Sequence, residues 1–262
     1  MKVKDKVIVV TGGGNGIGRQ LVLELLRRGA RIAAVDINEQ ALQQTYLLTE
    51  AKDRLSLHKL DLANKEEVDA LPQIVIEKHH QIDGLINNAG IIQPFIHVKD
   101  LMFQKIYQVM NVNFYGPLFM IKALLPYLLE RPEAHITNVS SMGAFVPVPG
   151  QTIYGASKAA LKLLSEGLKA ELKDTHVGIT TVFPGGVATD ITKNSGAEGT
   201  MKVKRDLSKM KLLSPEKAAK IIIDATEKNI IRVCAGKDSK FMDWFSRQFP
   251  LKAAKVIADM LS

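Results

Sequence analysis

The stretch Val7-Ile8-Val9-Val10-Thr11-Gly12-Gly13-Gly14-Asn15-Gly16-Ile17-Gly18 joins a run of β-branched residues to a cluster of glycines. Directly after it, Leu21, Val22, Leu25 and Leu26 recur at helical spacing, and Gly29 is placed to end that helix. An anion such as a nucleotide pyrophosphate can approach the backbone of such a turn because Cβ atoms are missing, and the helix N-terminus beyond it favours negative charge. A glycine cluster alone is a weak signal, since turns use glycine constantly. The strand-to-helix setting is what gives this one weight.

The same alternation continues along the chain. Apolar runs at about Lys6–Thr11, Arg31–Asp36, Leu55–Leu60, Gly84–Asn88, His135–Ser140, Gly178–Phe183 and Ile230–Ala235 are separated by segments of helical period. Near-continuous apolar strands between helices predict an α/β fold, a doubly wound parallel sheet of about seven strands with helices on both faces. Later helices are expected to begin near Asn38, Asn64, Asp100, Gln151 and Ser214. No linker or repeat divides the 262 residues, which read as one domain, 1–262. The long irregular stretch 189–213 is expected to be a substrate lid.

Composition sets further bounds. The apolar runs fall short of the roughly 18 residues that span a bilayer, and the basic start Met1–Lys6 is followed by no signal-like apolar region. One cysteine, Cys234, suits a reducing compartment, so a cytoplasmic protein is expected. The net charge of +8 is concentrated late, with 15 Lys/Arg against 8 Asp/Glu in residues 191–262. Such a basic third could face nucleic acid, but no recognition motif is present, and Lys202-Val203-Lys204-Arg205 lacks neighbouring aromatics for stacking, so no nucleic-acid partner is expected. His79 and His80 have no carboxylate or cysteine at metal-ligand spacing; they read as surface residues, and no metal is expected.

Two features narrow the chemistry. Asp36, eighteen residues after Gly18 at the end of the second strand, can accept the hydroxyls of an adenosine ribose and repel a 2′-phosphate, or can cap the helix that follows. Asn15 and Ile37 are not basic, while Arg19 leaves NADP open. Tyr154 and Lys158 stand four apart at the start of a helix spanning 151–173 and so share one face. An ammonium beside a phenol favours the phenolate, which allows proton transfer near neutral pH.

Taken together, the chain resembles the short-chain dehydrogenase/reductase family from Lys6 to about Ala235. It carries Thr-Gly-x-x-x-Gly-x-Gly at Thr11–Gly18, Asp61 after the third strand, and Asn-Asn-Ala-Gly at Asn87–Gly90. Asn-x-x-Gly follows at Asn113–Gly116, then Ser140-Ser141, Tyr-Gly-Ala-Ser-Lys at Tyr154–Lys158, Pro184-Gly185 and Thr189. The resemblance implies a Rossmann-like fold and hydride transfer between a nicotinamide, NAD with NADP open, and a small-molecule carbonyl or secondary alcohol. It makes Asn113, Ser141, Tyr154 and Lys158 the catalytic residues, with Ser140 structural and Asn113 interrupting a helix. It places the cofactor on Gly12, Asn15, Gly16, Ile17, Gly18, Asp36, Asp61, Leu62, Asn88, Gly90, Val112, Tyr154, Lys158, Pro184, Gly185, Val187 and Thr189.

It also implies a homo-oligomer, a dimer or tetramer, built on the helices that contain Asn113 and Tyr154. A catalytically silent regulator, an NADP-preferring reductase and a sugar-nucleotide epimerase are the alternatives. The epimerases have longer chains and a different glycine spacing, and the full set of four catalytic residues speaks against the silent reading.

The wall expected around the substrate is mostly apolar: Phe95, Ile96, Met142, Phe145, Val146, Val148, Met201, Met210, Leu212 and Leu213. A lipophilic substrate follows. Beyond the last strand, Phe241, Met242, Trp244, Phe245 and Phe249, and after Pro250 the series Leu251, Ala254, Ile257, Leu261, predict an amphipathic helical tail over 238–262. Lysines beside both segments allow either packing on the protein itself or peripheral contact with an anionic membrane.

Overall fold

A computed structural model describes residues 1–199 and 212–261, and the side chains of all these except Met260 and Leu261. Seven strands, β1 (Val7–Thr11), β2 (Arg31–Asp36), β3 (Leu55–Lys59), β4 (Gly84–Asn87), β5 (Ala134–Val139), β6 (Val177–Pro184) and β7 (Arg232–Ala235), form one sheet in the order β3-β2-β1-β4-β5-β6-β7. Every pairing is parallel. The order reverses between β1 and β4, which opens a crevice at the C-terminal ends of these two strands.

Alternation along β1 divides the core in two. Val7 and Val9 pack with Leu71, Leu124 and Ile136 on one face of the sheet, while Ile8 and Val10 pack with Leu21, Leu25 and Ile222 on the other. Helices α1 (Gly16–Arg27) and α2 (Glu39–Leu47) follow the first two strands, and α3 (Lys65–His79) follows the third. Next come α4 (Phe103–Met110), α5 (Gly116–Leu129), α6 (Thr152–Glu171), a one-turn α7 (Ile191–Asn194) and α8 (Pro215–Glu227). Asn38, Asn64 and Ser214 cap α2, α3 and α8 by accepting the Ala41, Glu67 and Lys217 amides. Gly29, at φ +90°, follows the end of α1.

Four details differ from the expectations. Strand ends shift by a residue or two; Lys6, for example, precedes β1. The helix expected near Asp100 begins at Phe103, because Val98–Asp100 close a separate 3-10 turn and Leu101 is extended. The continuous helical run Phe103–Leu129 is long and apolar enough to cross a membrane by length and composition, but Val109, Met120, Leu124 and Leu128 are buried inside the protein. Finally, His79 is not a surface residue. It continues the buried stripe Val68, Leu71, Val75 of α3 and hydrogen-bonds Ser56 Oγ at 2.8 Å, while His80, in the left-handed conformation, caps the helix in solvent.

A second buried histidine, His135, bonds Thr180 Oγ1 at 2.8 Å. Burial pushes His135 down to about 3 and His79 down to about 4. Both are neutral when folded but protonate when unfolded below about 6.5, so the stability they leave intact above that pH is lost as pH falls through it towards 4. The expected slope is about 1.4 kcal/mol per pH unit for each histidine. Denaturant unfolding at pH 6 and pH 5 measures it, and His135→Asn should remove one histidine's share of the slope, leaving that of His79 and of His58, which burial also pushes down. An unchanged slope in that variant would contradict the burial argument.

Candidate active site

The C-terminal ends of parallel strands lie along one edge, so the residues singled out in separate motifs converge there. Gly12 has φ +69°, and a Cβ on it would lie 2.9 Å from Ala89 Cα. Gly16, at φ +50°, would bring a Cβ within 3.2 Å of Thr189 Cγ2. The two ends of the expected cofactor site, the glycine turn and the segment after β6, therefore meet. Asn15 is extended at the N-terminus of α1 and its side chain makes no capping bond, leaving the first-turn amides for a ligand.

Asp36 is wired into this turn. Its Oδ2 accepts the Gly14 amide at 2.9 Å and its Oδ1 accepts the Asn38 amide at 3.0 Å, so Asn38, not Asp36, caps α2. Arg19 is tied beneath the same loop, donating to Gly14 O at 2.9 Å, Thr45 Oγ1 at 3.2 Å and Gln44 Oε1 at 3.0 Å. Asp61 accepts the Ala63 amide, and Leu62 packs at Gly116, beside Val112 on the next helical element. Asn88 donates to Thr11 O and its amide reaches Thr11 Oγ1, both at 3.0 Å, which joins the ends of β1 and β4.

Between α4 and α5 the helix widens into a π turn, Asn111–Tyr115, in which the Gly116 amide reaches back five residues to Asn111 O. Asn113, the residue expected to interrupt a helix, sits within it and is fully buried. Its Oδ1 accepts the Ile91 amide at 2.9 Å, and its Nδ2 donates to Ile91 O at 2.9 Å and Ser157 Oγ at 3.0 Å. Gly90 is packed between two of these groups: a Cβ on it would stand 3.0 Å from Lys158 Nζ and 3.3 Å from Asn113 Oδ1.

Tyr154 and Lys158 lie one turn apart on α6. The buried Lys158 ammonium donates to Val139 O at 3.1 Å, and Ser140 Oγ donates to Lys158 O at 2.8 Å, a contact within the framework rather than towards a substrate. Ser141 Oγ accepts the Gly143 amide at 3.0 Å. Burial pushes the Tyr154 phenol up, with the neighbouring Ser141 hydroxyl pulling the other way, and pushes Lys158 down to about 8. An apolar cleft of about 590 Å³ lies on the other face of α6, lined by Phe145, Val146 and Val148 of the loop after Ser141 and by Ala156 and Ala159; Gly143 is its nearest point to the catalytic side chains, none of which lines it.

Two positioning residues escaped the sequence reading. Gln93 is fully buried; its Oε1 accepts the Ile153 and Tyr154 amides at 2.9 and 3.2 Å, and so holds the first turn of α6. Asp238 accepts the Gly186 amide at 2.7 Å and fixes the turn Pro184-Gly185-Gly186. Val187 then pairs with Leu213 as an isolated parallel bridge. The described part of the stretch read as a lid docks through Ser195, which accepts the Ile92 amide at 3.0 Å and a Lys105 Nζ bond at 3.0 Å. Met201, Met210 and the basic cluster of residues 202–211 lie outside the described residues.

A glycine cradle at a sheet's switch point, facing a buried lysine and a tyrosine on one helix, defines a nicotinamide-dependent oxidoreductase. The family model for short chain dehydrogenases matches residues 6–199, and the chain belongs to that family. A Mycobacterium tuberculosis protein named as an oxidoreductase, SadH, is 33% identical over 251 residues, covering 93% of this chain and 91% of that one. An uncharacterized oxidoreductase of Staphylococcus epidermidis is 35% identical over 196 residues, 74% of this chain and 83% of that one. Among solved structures, a short chain dehydrogenase from Burkholderia cenocepacia in complex with NADP matches with TM-score 0.81 and 26% identity over 98% of this chain and 99% of that one. The fold is also that of a Burkholderia phymatum enzyme in complex with NAD, at TM-score 0.85 and 22% identity over 96% of each chain.

Proposed function

We propose that this oxidoreductase prefers NAD and interconverts a carbonyl and a secondary alcohol on a lipophilic substrate. The observation that carries the cofactor preference is the Asp36 carboxylate, held at the glycine turn by the Gly14 amide while Arg19 is engaged by four partners around it. A carboxylate so placed accepts ribose hydroxyls and repels a 2′-phosphate. The residues fit a dinucleotide, because the glycine turn runs into the N-terminus of α1, where Asn15 makes no side-chain cap and the helix end favours an anion. Gly12, Gly16 and Gly18 would bear the pyrophosphate, Asp36, Asp61 and Leu62 the adenosine, and Val187, Thr189 and Lys158 the nicotinamide end.

When bound, the nicotinamide supplies or accepts the hydride. Ser141 holds the substrate oxygen, and Tyr154 gives that oxygen its proton on reduction or takes it on oxidation. Lys158 stabilises the phenolate that remains, and Asn113 holds the segment after β4 against α6 so that Gly90 and Lys158 stay in register. Met142 and Phe145, apolar residues of the loop directly after Ser141, support the lipophilic substrate. Exposed Tyr107, Tyr115 and Leu163 on α4 to α6 support a homo-oligomer built on those helices.

Binding of NADH and NADPH, and turnover of a panel of carbonyls and alcohols with both cofactors, test the reading. The protein should bind NADH more tightly, and Asp36→Ala should narrow or invert the preference by about tenfold or more, the worth of a charged hydrogen bond. Tighter NADPH binding by the unaltered protein would overturn the preference and shift attention to Arg19.

A further inference from the structure

Beyond β7 the chain folds into two helices, α9 (Lys237–Gln248) and α10 (Pro250–Leu261). Met242 and Ala253 are buried, with Phe145 and Val146 of the substrate loop in the same cluster. The opposite side is apolar in solvent: Phe241 is 57% exposed, Trp244 55% and Leu251 85%. These side chains are ordered rather than scattered. Phe241 stacks on Phe245 at 5.6 Å between ring centres, and Phe249 meets both Phe245 and Trp244.

Charge around this group has one dominant sign. Lys237, Lys240, Lys252 and Lys255 are exposed beside the aromatic residues, and Lys252 Nζ lies 5.3 Å from the Phe249 ring centre. Of the carboxylates on these helices, Asp238 is turned inward on Gly186 and Asp243 on Arg232, leaving Asp259 exposed. A second copy packed on the same face by a two-fold axis would bring these lysines towards their own counterparts. A surface rich in anionic headgroups meets the lysines with opposite charge and takes aromatic rings into the headgroup boundary.

We propose that α9 and α10 form a docking face for an anionic lipid bilayer. The cleft beside the catalytic residues is lined by Ala254 and Ala258 of α10 on one side and Gly143 on the other. A Cβ on Gly143 would stand 3.5 Å from both Ser141 Oγ and the Tyr154 ring, so the helix resting on lipid walls a cleft that adjoins the reacting groups through Gly143 without being lined by them. Docking there would hold the Gly143 edge of the catalytic residues close to the bilayer, so that a bilayer-dissolved carbonyl or alcohol has a short way to them; this second half rests on the proposed function, the docking itself does not.

The chain holds one tryptophan, Trp244, at the centre of the face, so its own emission reports docking. With the full-length protein and phosphatidylcholine vesicles containing phosphatidylserine, emission should shift to the blue and the protein should co-sediment at low salt. Both effects should be lost near 0.5 M salt, where the screening length shrinks to about 4 Å, and without phosphatidylserine. Lys240→Glu with Lys255→Glu should weaken vesicle binding by about tenfold or more, while the unfolding midpoint and turnover of a water-soluble substrate stay as they were. Absence of co-sedimentation at low salt, full binding by the double variant, or an emission shift that follows protein concentration without vesicles would overturn the proposal, the last by showing a second copy on the face. Vesicle binding by a protein that turns over no carbonyl or alcohol would support docking and refute only the oxidoreductase reading.

Discussion

Tyr154→Phe is expected to lower turnover by about 10²-fold or more while leaving cofactor binding and the unfolding midpoint nearly unchanged. The substitution removes one hydroxyl from a ring whose position is set elsewhere. The Tyr154 amide is held by Gln93 Oε1, and the next turn of α6 is anchored by Lys158 on Val139 O. The aromatic surface is retained, so packing changes little. What disappears is the proposed proton donor, and neither Ser141, with its much weaker acidity, nor the buried Lys158 can replace it without moving. Steady-state turnover in both directions, with NADH affinity by fluorescence titration, checks this. Turnover equal to the unaltered protein on any accepted substrate would show that the proton travels by another route.

The second large effect is expected from Gly18→Ala. A Cβ at this position would stand 1.8 Å from the Gly12 carbonyl oxygen and 2.6 Å from Asn88 Nδ2, contacts that cannot be tolerated. The carbonyl cannot easily retreat, because Gly12 is itself held at φ +69° against Ala89 and because Asn88 ties that strand end to β4. Forcing the turn open should cost about 1–3 kcal/mol or more in stability and at least tenfold in cofactor affinity. Gly167→Ala is the control: nothing lies within 4 Å of its Cβ position on α6, so alanine there should raise stability by roughly 0.5–1 kcal/mol. Unfolding midpoints and NADH titration of both variants give the comparison. Equal behaviour of the two would mean that the glycine turn is not the close-packed cradle described here.

Much of this architecture was legible because local pattern and tertiary role agree. Val7–Thr11 is wholly buried and reads as an apolar run; Asn38, Asn64 and Ser214 mark helix starts and prove to cap them; the two tail helices follow the spacing of their apolar residues. His79 reads as a surface residue beside His80 because the two adjoin at a helix end, but the register of Val68, Leu71 and Val75 carries it inward. Gln93 and Asp238 left no trace in spacing or composition. Gln93 acts on amides about sixty residues away and Asp238 on an amide 52 residues away, so their partners exist only once the strands are assembled. The π turn at Asn111–Tyr115 was legible through family resemblance alone, since the periodicity of its neighbours is helical throughout.

The contact between Asp238 and the turn after β6 also bears on how this sequence can change over time. Gly185 is not among the glycines with positive φ, so its backbone would accept any residue; yet a Cβ there would fall 2.2 Å from Asp238 Oδ2, and its three nearest neighbours are all atoms of that one carboxylate. A side chain at 185 is admitted only if the Asp238 carboxylate swings aside, which would release the Gly186 amide it accepts at 2.7 Å. Substitution at 185 is therefore expected to be easier once 238 has been shortened, because that empties the space its Cβ would need, and the two positions are expected to tolerate change together more readily than singly.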